Sequence, residues 1–277
     1  MSSAATPIDP VRDLEFATAA AREAGLRVLA LRESGRWQGD MLADIGDQAA
    51  DGLLQGLIRG RFPEDGLLSE ETADSPARLA RRRCWIVDPL DGTREFSQGR
   101  DDWAVHVALA VDGRCALAAV ALPSLGRLLW GVAEGSGAPP RAGIEGAPVA
   151  ALLPGGDPGP ASPRVVVSRS HTPPWVAAFC DRLGAAAPTP FGSAGYKTAL
   201  ILQGEADVYV HKVGLKEWDT CAPETVARAL GWTVCRLRGE EHRYNSRDPK
   251  NHEFVVCRPA WRDRVLAAIA ASGALEG

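Results

Sequence analysis

Apolar residues recur every three or four positions near the start of the chain. These positions are Leu14, Ala17, Ala21, Ala24, Val28 and Leu31. The spacing predicts an amphipathic helix, because residues three and four apart share one helix face. A second helix is predicted from Asp47 to about Arg59. Its inward residues would be Ala50, Leu53, Leu54, Leu57 and Ile58.

Short apolar runs predict strands in the rest of the first half. They cover residues 67–68, 85–87, 104–111, 115–122 and 128–132. Asp112-Gly113 separates two of these runs and predicts a tight hairpin turn. From residue 135 to residue 163 the composition shifts to Gly, Pro and Ala, which indicates a loop-rich connection with room for one short strand pair.

Strands and helices alternate after this connection, beginning with a strand at Val165–Ser168. Further strands are predicted at 206–211, 232–237 and 254–257, and helices at 174–183, 196–203, 220–230 and 260–272. Alternation of this kind is typical of α/β structure. We therefore expect an α+β N-terminal half, residues 1–150, and an α/β C-terminal half, residues 151–277.

Composition limits the classes of partner. A chain of 277 residues with 45% hydrophobic and 24% charged residues is typical of a globular protein with a sizeable core. The net charge of −4 argues against a nucleic-acid polymer as the main partner, which would favour a basic face. A small anionic substrate is compatible with this charge, because bound metal ions reverse the local field.

Cysteine usage and hydropathy indicate a cytoplasmic protein. None of the six cysteines forms a Cys-x-x-Cys pair, so we expect reduced, buried thiols and no structural zinc. No segment approaches the roughly 18 apolar residues that span a bilayer. The N-terminus lacks a basic region followed by an apolar stretch, so no signal peptide and no membrane association are expected.

The run from Trp85 to Phe96 contains the strongest candidate chemistry. An apolar triplet precedes Asp88, and Asp91 follows after a proline, with Gly92 and Thr93 behind. Carboxylates are ligands that Mg²⁺ prefers, and exposed N–H groups at a turn bind phosphate. The alternative is an ordinary polar turn after a strand, since Asp-Pro and Asp-Gly are common turn dipeptides.

This run resembles the signature of the inositol monophosphatase-like family of Mg²⁺-dependent, Li⁺-sensitive phosphatases. Three other motifs resemble the family in the same order. They are Gly46-Asp47-Gln48-Ala49-Ala50, Leu67-Leu68-Ser69-Glu70-Glu71 and Glu217-Trp218-Asp219-Thr220-Cys221-Ala222. The resemblance extends from about Leu14 to about Ala270 and implies the family's layered αβαβα sandwich, with the site between the two halves.

The variant of the motif resembles one branch of the family. Thr93-Arg94-Glu95-Phe96 is similar to the CysQ-type 3′(2′),5′-bisphosphate nucleotidases, whereas inositol phosphatases more often have Thr-Thr-Asn-Phe. Residues 99–106 and 191–197 resemble the actinobacterial CysQ branch. These enzymes remove the 3′-phosphate of 3′-phosphoadenosine 5′-phosphate, which would be a small phosphorylated nucleotide substrate for this chain.

The resemblance implies a metal centre with two or three Mg²⁺ ions. Its ligands would be Glu70, Asp88, the Leu90 carbonyl, Asp91 and Asp219. Glu70 would orient the attacking water, and Thr93 would relay a proton in partnership with Asp47. Each role has an alternative that is purely structural. Asp47 and Asp219 could cap helices, Glu71 could be a solvated acid, and Thr93 could bond its own turn. Pro223 is expected in the first turn of its helix, which would place the N-cap at Asp219 or Thr220.

Substrate would be held by groups around these ligands. Backbone N–H groups of Gly92 and Thr93 would bind the scissile phosphate, together with Glu70, Leu90, Asp91 and Asp219. The Gly192–Gly195 turn with Ser193 and Lys197 resembles a nucleotide pocket, although Lys197 could equally be solvated. Arg94 and Arg100 are further candidates, or surface residues that pair with Glu95, Asp101 or Asp102. His106 is interpreted as a core histidine, with no catalytic role for the other four.

Two other functions compete with bisphosphate nucleotidase activity. Inositol-1-phosphate or fructose-1,6-bisphosphate phosphatases share the same metal ligands, so only pocket residues distinguish them. A catalytically silent homologue would have lost a ligand, and all four acidic ligands are present. Members of the family are often dimers, so the resemblance implies a homodimer, and no stretch of the sequence identifies its interface.

Overall fold

The computed structural model describes residues 8–134, 136–148 and 151–276. The helices there are α1 (Pro10–Glu33), α2 (Gly39–Arg61), α3 (Thr93–Ser97), α4 (Trp175–Leu183), α5 (Ala194–Leu202), α6 (Glu217–Ala229) and α7 (Arg262–Ala271). The strands are β1 (Gly66–Ser69), β2 (Arg83–Asp91), β3 (Ala104–Val111), β4 (Arg114–Leu122), β5 (Arg127–Val132), β6 (Arg141–Glu145), β7 (Val165–Ser168), β8 (Thr189–Phe191), β9 (Val208–His211), β10 (Thr233–Cys235) and β11 (Phe254–Cys257).

The first sheet contains β1 to β6 in chain order. β1 runs parallel to β2, and each later neighbour is antiparallel. The predicted hairpin between β3 and β4 is confirmed. Asp112 and Gly113 both have positive φ, +50° and +75°, as a two-residue turn matched to the twist of the strands requires.

The second sheet has the strand order β10-β11-β9-β7-β8. β7 is parallel to β8 and to β9. β11 is antiparallel to both of its neighbours, β9 and β10. This sheet is therefore mixed. β8 was not predicted, because it has three residues, includes Pro190 and lies at the sheet edge, where a proline is tolerated.

The elements stack as α, β, α, β, α, which confirms the predicted sandwich. α1 and α2 pack on one face of the first sheet, and α5 and α6 lie between the two sheets. α4 and α7 contact one another and cover the outer face of the second sheet. Small residues on α1, such as Ala17 and Ala21, are fully buried and allow the helix to approach the sheet closely.

The start of α2 differs from the prediction. The helix begins at Gly39, so Asp47 is its ninth residue and not an N-cap. Leu42 and Ala43 are buried and extend the apolar face upstream. Gly46 belongs to the same face, where a Cβ would lie 3.0 Å from the Phe96 ring, so its lack of a side chain admits this close packing.

The start of α6 also differs. Lys216 is the N-cap, so the N-cap predicted at Asp219 or Thr220 is wrong, and Pro223 lies inside the helix. Proline has no N–H, so the carbonyl of Asp219 loses the helical hydrogen bond it would otherwise accept.

Among the described residues of the connection, β6 pairs with β5 of the first sheet and not with a second strand of the connection. The predicted boundary at residue 150 lies outside the described residues, and the division into halves stays a prediction. One apolar cluster contains residues from both sheets. All six cysteines are buried and unpaired, as predicted. Within the described ranges no helix is long and apolar enough to cross a membrane.

Candidate active site

Asp88 and Asp91 lie at a bulge in the first sheet. Asp88 pairs with His106 of β3 and Asp91 pairs with Ala104, so β2 has one extra residue between these points. In a regular strand, residues three apart point to opposite faces. The bulge changes this alternation, and an oxygen of each carboxylate lies within 4.8 Å of the other. Pro89 fits the bulge because it has no N–H to donate to the ladder.

Side-chain hydrogen bonds fix the turn that follows. Asp88 Oδ1 accepts from the Leu90 N–H at 3.1 Å, and Thr93 Oγ1 donates to the Leu90 carbonyl at 2.9 Å. Gly92 has φ of +93°, and a Cβ there would lie 3.1 Å from the Asp102 carbonyl oxygen. The turn therefore depends on glycine at this position. The structural role weighed for Thr93, a bond to its own turn, is present.

Five acids from four parts of the chain form what we call the acid cluster. Its members are Asp47 of α2, Glu70 after β1, Asp88 and Asp91 of β2, and Asp219 of α6. Burial raises the pKa of Asp88 well above its ordinary range, and repulsion from Glu70, Asp91, Asp219 and Asp47 adds to the shift. Burial and the charges of Asp91 and Glu70 likewise raise the pKa of Asp219.

The pKa values of the other two members, Asp47 and Glu70, are also raised. Burial, repulsion from Glu71 and weaker repulsions raise the pKa of Asp47 to about 8, although a hydrogen bond with the Thr93 side chain opposes the shift. Burial of its carboxyl group, followed by repulsion from Asp47, Asp91 and Glu71, raises the pKa of Glu70 to about 7, while the rest of its side chain is exposed to solvent. Glu71 is exposed and has Asp51 and Asp44 as its acidic neighbours.

Unpaired oxygens indicate that the acid cluster suits a cation. Asp88 Oδ2 and Asp47 Oδ1 are buried without a hydrogen-bond partner in the described part of the chain. Buried polar atoms normally have partners, and close carboxylates repel one another unless a cation intervenes. Hard carboxylate oxygens are the ligands that suit Mg²⁺. The donor set therefore fits the metal that the sequence predicts.

Groups at the start of α5 hold the Asp91 carboxylate. Its Oδ2 accepts hydrogen bonds from Ser193 Oγ at 2.5 Å and from the Gly195 N–H at 3.1 Å. Ser193 is also the N-cap of α5, where its Oγ accepts from the Tyr196 N–H. The structure therefore places Ser193 behind Asp91, fully buried, and its contact with substrate stays a prediction.

Lys197 lies under the same turn. Its Nζ is buried, donates to the Ser193 carbonyl at 2.8 Å and to the Gly192 carbonyl, and lies over the Tyr209 ring. The alternative of a solvated lysine is wrong. Burial lowers the pKa of Lys197 to about 8, although nearby acids, Asp91 first among them, oppose the shift. A direct contact with substrate stays a prediction, whereas its support of the turn is present in the structure.

Asp219 caps α6 from inside its first turn, and its role as a metal ligand stays a prediction. It is the third residue of α6, and its Oδ2 accepts from the Lys216 N–H at 2.6 Å, which caps the helix. The same carboxylate lies close enough to Asp91 and Glu70 for their charges to raise its pKa. Helix capping therefore fixes the orientation of a member of the acid cluster.

The two candidate arginines lie in different settings. Arg94 is exposed, with its guanidinium 3.5 Å from Ser170 Oγ. Arg100 pairs with Asp102 at 3.1 Å, which is the surface pairing that the sequence allowed. Glu95 does not pair with Arg94.

Sequence reasoning missed two residues near the acid cluster. Arg169, just after β7, bridges Glu95 at 2.6 Å and Asp102 at 2.8 Å, so it joins the end of the Asp88 motif to the loop before β3. Its position after a parallel strand was a usable signal. The buried ring of His106, interpreted as a core residue, lies 3.3 Å from Asp91 Oδ2, and only the strand register reveals this.

The chain is similar in sequence and fold to known proteins. A sequence profile described as the inositol monophosphatase family matches residues 11–274. A Mycobacterium leprae protein named 3′-phosphoadenosine 5′-phosphate phosphatase is 39% identical over 257 residues, which cover 89% of each chain. The 3′(2′),5′-bisphosphate nucleotidase CysQ of Salmonella typhimurium is 33% identical over 219 residues, which cover 78% of this chain and 85% of that protein.

A solved structure has a similar fold. The crystal structure of CysQ from Bacteroides thetaiotaomicron, described as a bacterial member of the same family, superposes with a TM-score of 0.73 at 27% identity. The match covers 89% of this chain and 97% of that chain.

Proposed function

Because the chain belongs to the inositol monophosphatase family, whose phosphatases depend on a metal ion, we propose that it is a Mg²⁺-dependent phosphomonoesterase. Its substrate would be 3′-phosphoadenosine 5′-phosphate, hydrolysed at the 3′-phosphate to AMP and phosphate. The acid cluster carries the proposed chemistry, and the name of the mycobacterial relative supports the choice of substrate.

Four carboxylates and one carbonyl would hold two or three Mg²⁺ ions. They are Glu70, Asp88, the Leu90 carbonyl, Asp91 and Asp219. The buried, unpaired Asp88 Oδ2 supports this assignment, because no protein donor competes for it in the described residues. Bound Mg²⁺ would neutralise the phosphate oxygens and lower the pKa of a coordinated water.

The chain's own groups would bind and orient the reactants. Backbone N–H groups of Gly92 and Thr93, at the start of α3, would donate to the scissile phosphate. Glu70, which keeps a solvent-exposed face at the edge of the acid cluster, would accept a hydrogen bond from the attacking water and orient it in line.

Thr93 and Asp47 would handle the proton. The Thr93 hydroxyl bonds the Leu90 carbonyl and interacts with the Asp47 side chain, so it connects the turn to the buried acid. In the metal-free protein, burial and repulsion from Glu71 raise the pKa of Asp47 to about 8, and in the working enzyme Asp47 would exchange a proton through this hydroxyl.

The competing substrates are less well supported. Inositol 1-phosphate and fructose 1,6-bisphosphate would use the same acids. The occurrence of Arg94-Glu95 in the sequence motif and the names of the mycobacterial and CysQ relatives favour the nucleotide. A silent homologue is disfavoured because every acid of the cluster is present.

The proposed setting is cytoplasmic sulfate assimilation, in which the enzyme would remove 3′-phosphoadenosine 5′-phosphate and also act on its 5′-phosphosulfate relative. Six buried, unpaired cysteines support a reducing compartment. A homodimer and inhibition by Li⁺ belong to the same proposal.

The test is phosphate release in the presence of Mg²⁺ from three substrates: 3′-phosphoadenosine 5′-phosphate, inositol 1-phosphate and fructose 1,6-bisphosphate. We expect kcat/KM to favour the nucleotide by about 100-fold or more, which corresponds to about 3 kcal/mol of transition-state discrimination. Equal rates, or a preference for inositol 1-phosphate, would contradict the substrate assignment. Absence of release from all three would favour a silent homologue.

A further inference from the structure

The imidazole of His106 lies between two segments that carry members of the acid cluster. His106 is on β3, and its side chain is completely buried. Nδ1 lies 3.2 Å from the Trp218 carbonyl oxygen. Nε2 lies 3.3 Å from Asp91 Oδ2, at ion-pair distance rather than in a well-aligned hydrogen bond.

These contacts connect a strand of the first sheet with the start of α6. Asp91 ends β2 of the first sheet, whereas Trp218 lies in the first turn of α6, directly before Asp219. The ring therefore spans the distance between Asp91 and the backbone that carries Asp219. A change in its position would alter the relative placement of these two carboxylates.

Gly195 makes room for the ring. A Cβ at this position would lie 2.1 Å from His106 Nε2 and 3.0 Å from Val120 Cγ1. Because Gly195 has no side chain, its N–H also approaches Asp91 Oδ2 at 3.1 Å. His106 and Gly195 are thus matched in shape, and both contact the same carboxylate oxygen.

We propose that His106 is a positioning residue that fixes Asp91 relative to the start of α6 and thereby determines the affinity of the acid cluster for Mg²⁺. The inference rests on the proposed Mg²⁺ site but not on the identity of the substrate. Groups that contact metal-binding side chains typically change metal affinity or activity by about 10- to 100-fold when they are removed. His106 does not act as a ligand itself, because Mg²⁺ prefers oxygen over imidazole nitrogen.

The test compares His106→Leu and His106→Asn with His242→Asn. His242 is the matched control. It is also buried, and its two ring nitrogens contact Glu224 and the Glu253 carbonyl, outside the acid cluster. Mg²⁺ affinity is measured by calorimetry without substrate, and the stability of the metal-free protein is measured by urea denaturation. Phosphate release is then followed as Mg²⁺ is raised.

We expect His106→Leu to bind Mg²⁺ about 10- to 100-fold more weakly, with kcat recovering towards the wild-type value at high Mg²⁺. His106→Asn keeps a polar group and should be intermediate. His242→Asn should lose stability but keep its Mg²⁺ affinity. If Mg²⁺ affinity in His106→Leu stays within about twofold of wild type, or changes only as much as in the control, the proposal is overturned.

A second variant keeps the test valid if His106→Leu fails to fold. Gly195→Ala retains the imidazole but displaces it, so Mg²⁺ affinity should also fall. In a His106→Ala background, Gly195→Ala should lower the Mg²⁺ affinity by a smaller factor, because the ring that the new methyl group would collide with is absent. If the two substitutions lower the Mg²⁺ affinity additively, the proposed coupling between Gly195 and the His106 ring is contradicted.

Two further outcomes separate this proposal from the site on which it rests. A directly coordinated nitrogen in the electron spin echo spectrum of bound Mn²⁺ would make His106 a ligand and overturn the positioning role. Absence of Mg²⁺ binding by the wild-type protein would overturn the metal site, and this inference with it.

Discussion

Two buried groups of polar side chains differ in how their carboxylates are partnered. In the Glu224 cluster, formed by Glu224, Arg228, His242 and Tyr244, every carboxylate oxygen has a donor. Arg228 Nε contacts Oε1 at 2.6 Å, and His242 Nδ1 and Tyr244 Oη contact Oε2 at 2.6 Å. Burial by itself would raise the pKa of Glu224, but these partners, His242 first, lower it to about 2.

The acid cluster has the opposite arrangement. Asp88 is as completely buried as Glu224, yet one of its oxygens has no partner and its neighbours are other carboxylates, so its pKa is raised. Burial alone therefore does not decide the charge of an acid; the surrounding partners do. We infer that Glu224 contributes to stability, whereas the acid cluster is arranged for a ligand that the protein does not supply.

The largest expected effect comes from removing one charge of the acid cluster. Asp88→Asn keeps the size of the side chain and its Oδ1, but replaces the unpaired oxygen with an amide. We expect kcat/KM to fall by about 1,000-fold, or about 4 kcal/mol in the barrier, because a metal ligand is lost. The measurement is phosphate release, accompanied by urea denaturation of the metal-free protein, which should lose no stability.

The matched control is Asp248→Asn, since Asp248 is an exposed aspartate that forms an ion pair with exposed Lys250. It should change neither activity nor stability measurably. Asp88→Asn with wild-type activity would contradict the proposed site.

Glu224→Gln should give the reverse result. It leaves Arg228 and His242 without their carboxylate, so we expect the free energy of unfolding to fall by about 3 kcal/mol, as when one member of a buried ion pair is removed. The folded fraction should keep the wild-type kcat, because Glu224 lies outside the acid cluster. A large loss of kcat without a loss of stability would contradict the distinction between the two clusters.

The pH dependence of stability sharpens this prediction. The pKa of Glu224 is lowered in the folded protein, from 4.5 to about 2. Its contribution is therefore fully present above about pH 4.5 and is lost as the pH falls towards 2. The difference in unfolding free energy between wild type and Glu224→Gln should shrink over this window. A difference that stays constant down to pH 2 would contradict the assigned charge state.

Mg²⁺ should stabilise the folded protein by binding to the acid cluster, and this stabilisation should not depend on the Glu224 cluster. At about 100 times the dissociation constant, a ligand that binds only the folded state adds about 2.7 kcal/mol. Thermal denaturation should therefore show a higher Tm with Mg²⁺ for wild type and for Glu224→Gln, but not for Asp88→Asn. An equal shift in all three proteins would indicate binding elsewhere.

The smallest effect is expected at the edge of the acid cluster. Arg94 follows Thr93 and is exposed, so it can reach a phosphate of the substrate. Arg94→Ala should raise KM about 10-fold with little change in kcat, equivalent to a charged hydrogen bond of about 1.5 kcal/mol. Arg22→Ala is the control, because Arg22 is also exposed but pairs with Glu145 at a different surface. An unchanged KM would contradict a contact between Arg94 and the substrate.

The sequence determined which segments become helices and strands over most of the described chain. Periodicity placed α1 and the strands β3, β4 and β5 correctly, because these elements bury one continuous apolar face or run. Periodicity did not predict where two of the helices begin. α2 begins at Gly39 and α6 at Glu217, since an apolar face can extend past the first obvious cap and a helix can tolerate Pro223 in its interior.

The sequence also indicated the chemistry of the acid cluster, because the spacing of Asp88, Asp91, Gly92 and Thr93 and the three companion motifs are local patterns. Only the tertiary structure decided how these groups are used. It placed Lys197 under a turn instead of in solvent, joined Arg169 to Glu95, and brought His106 against Asp91. Those outcomes depend on strand register and on packing between the two sheets, which link residues distant in the chain and leave no periodic signal in it.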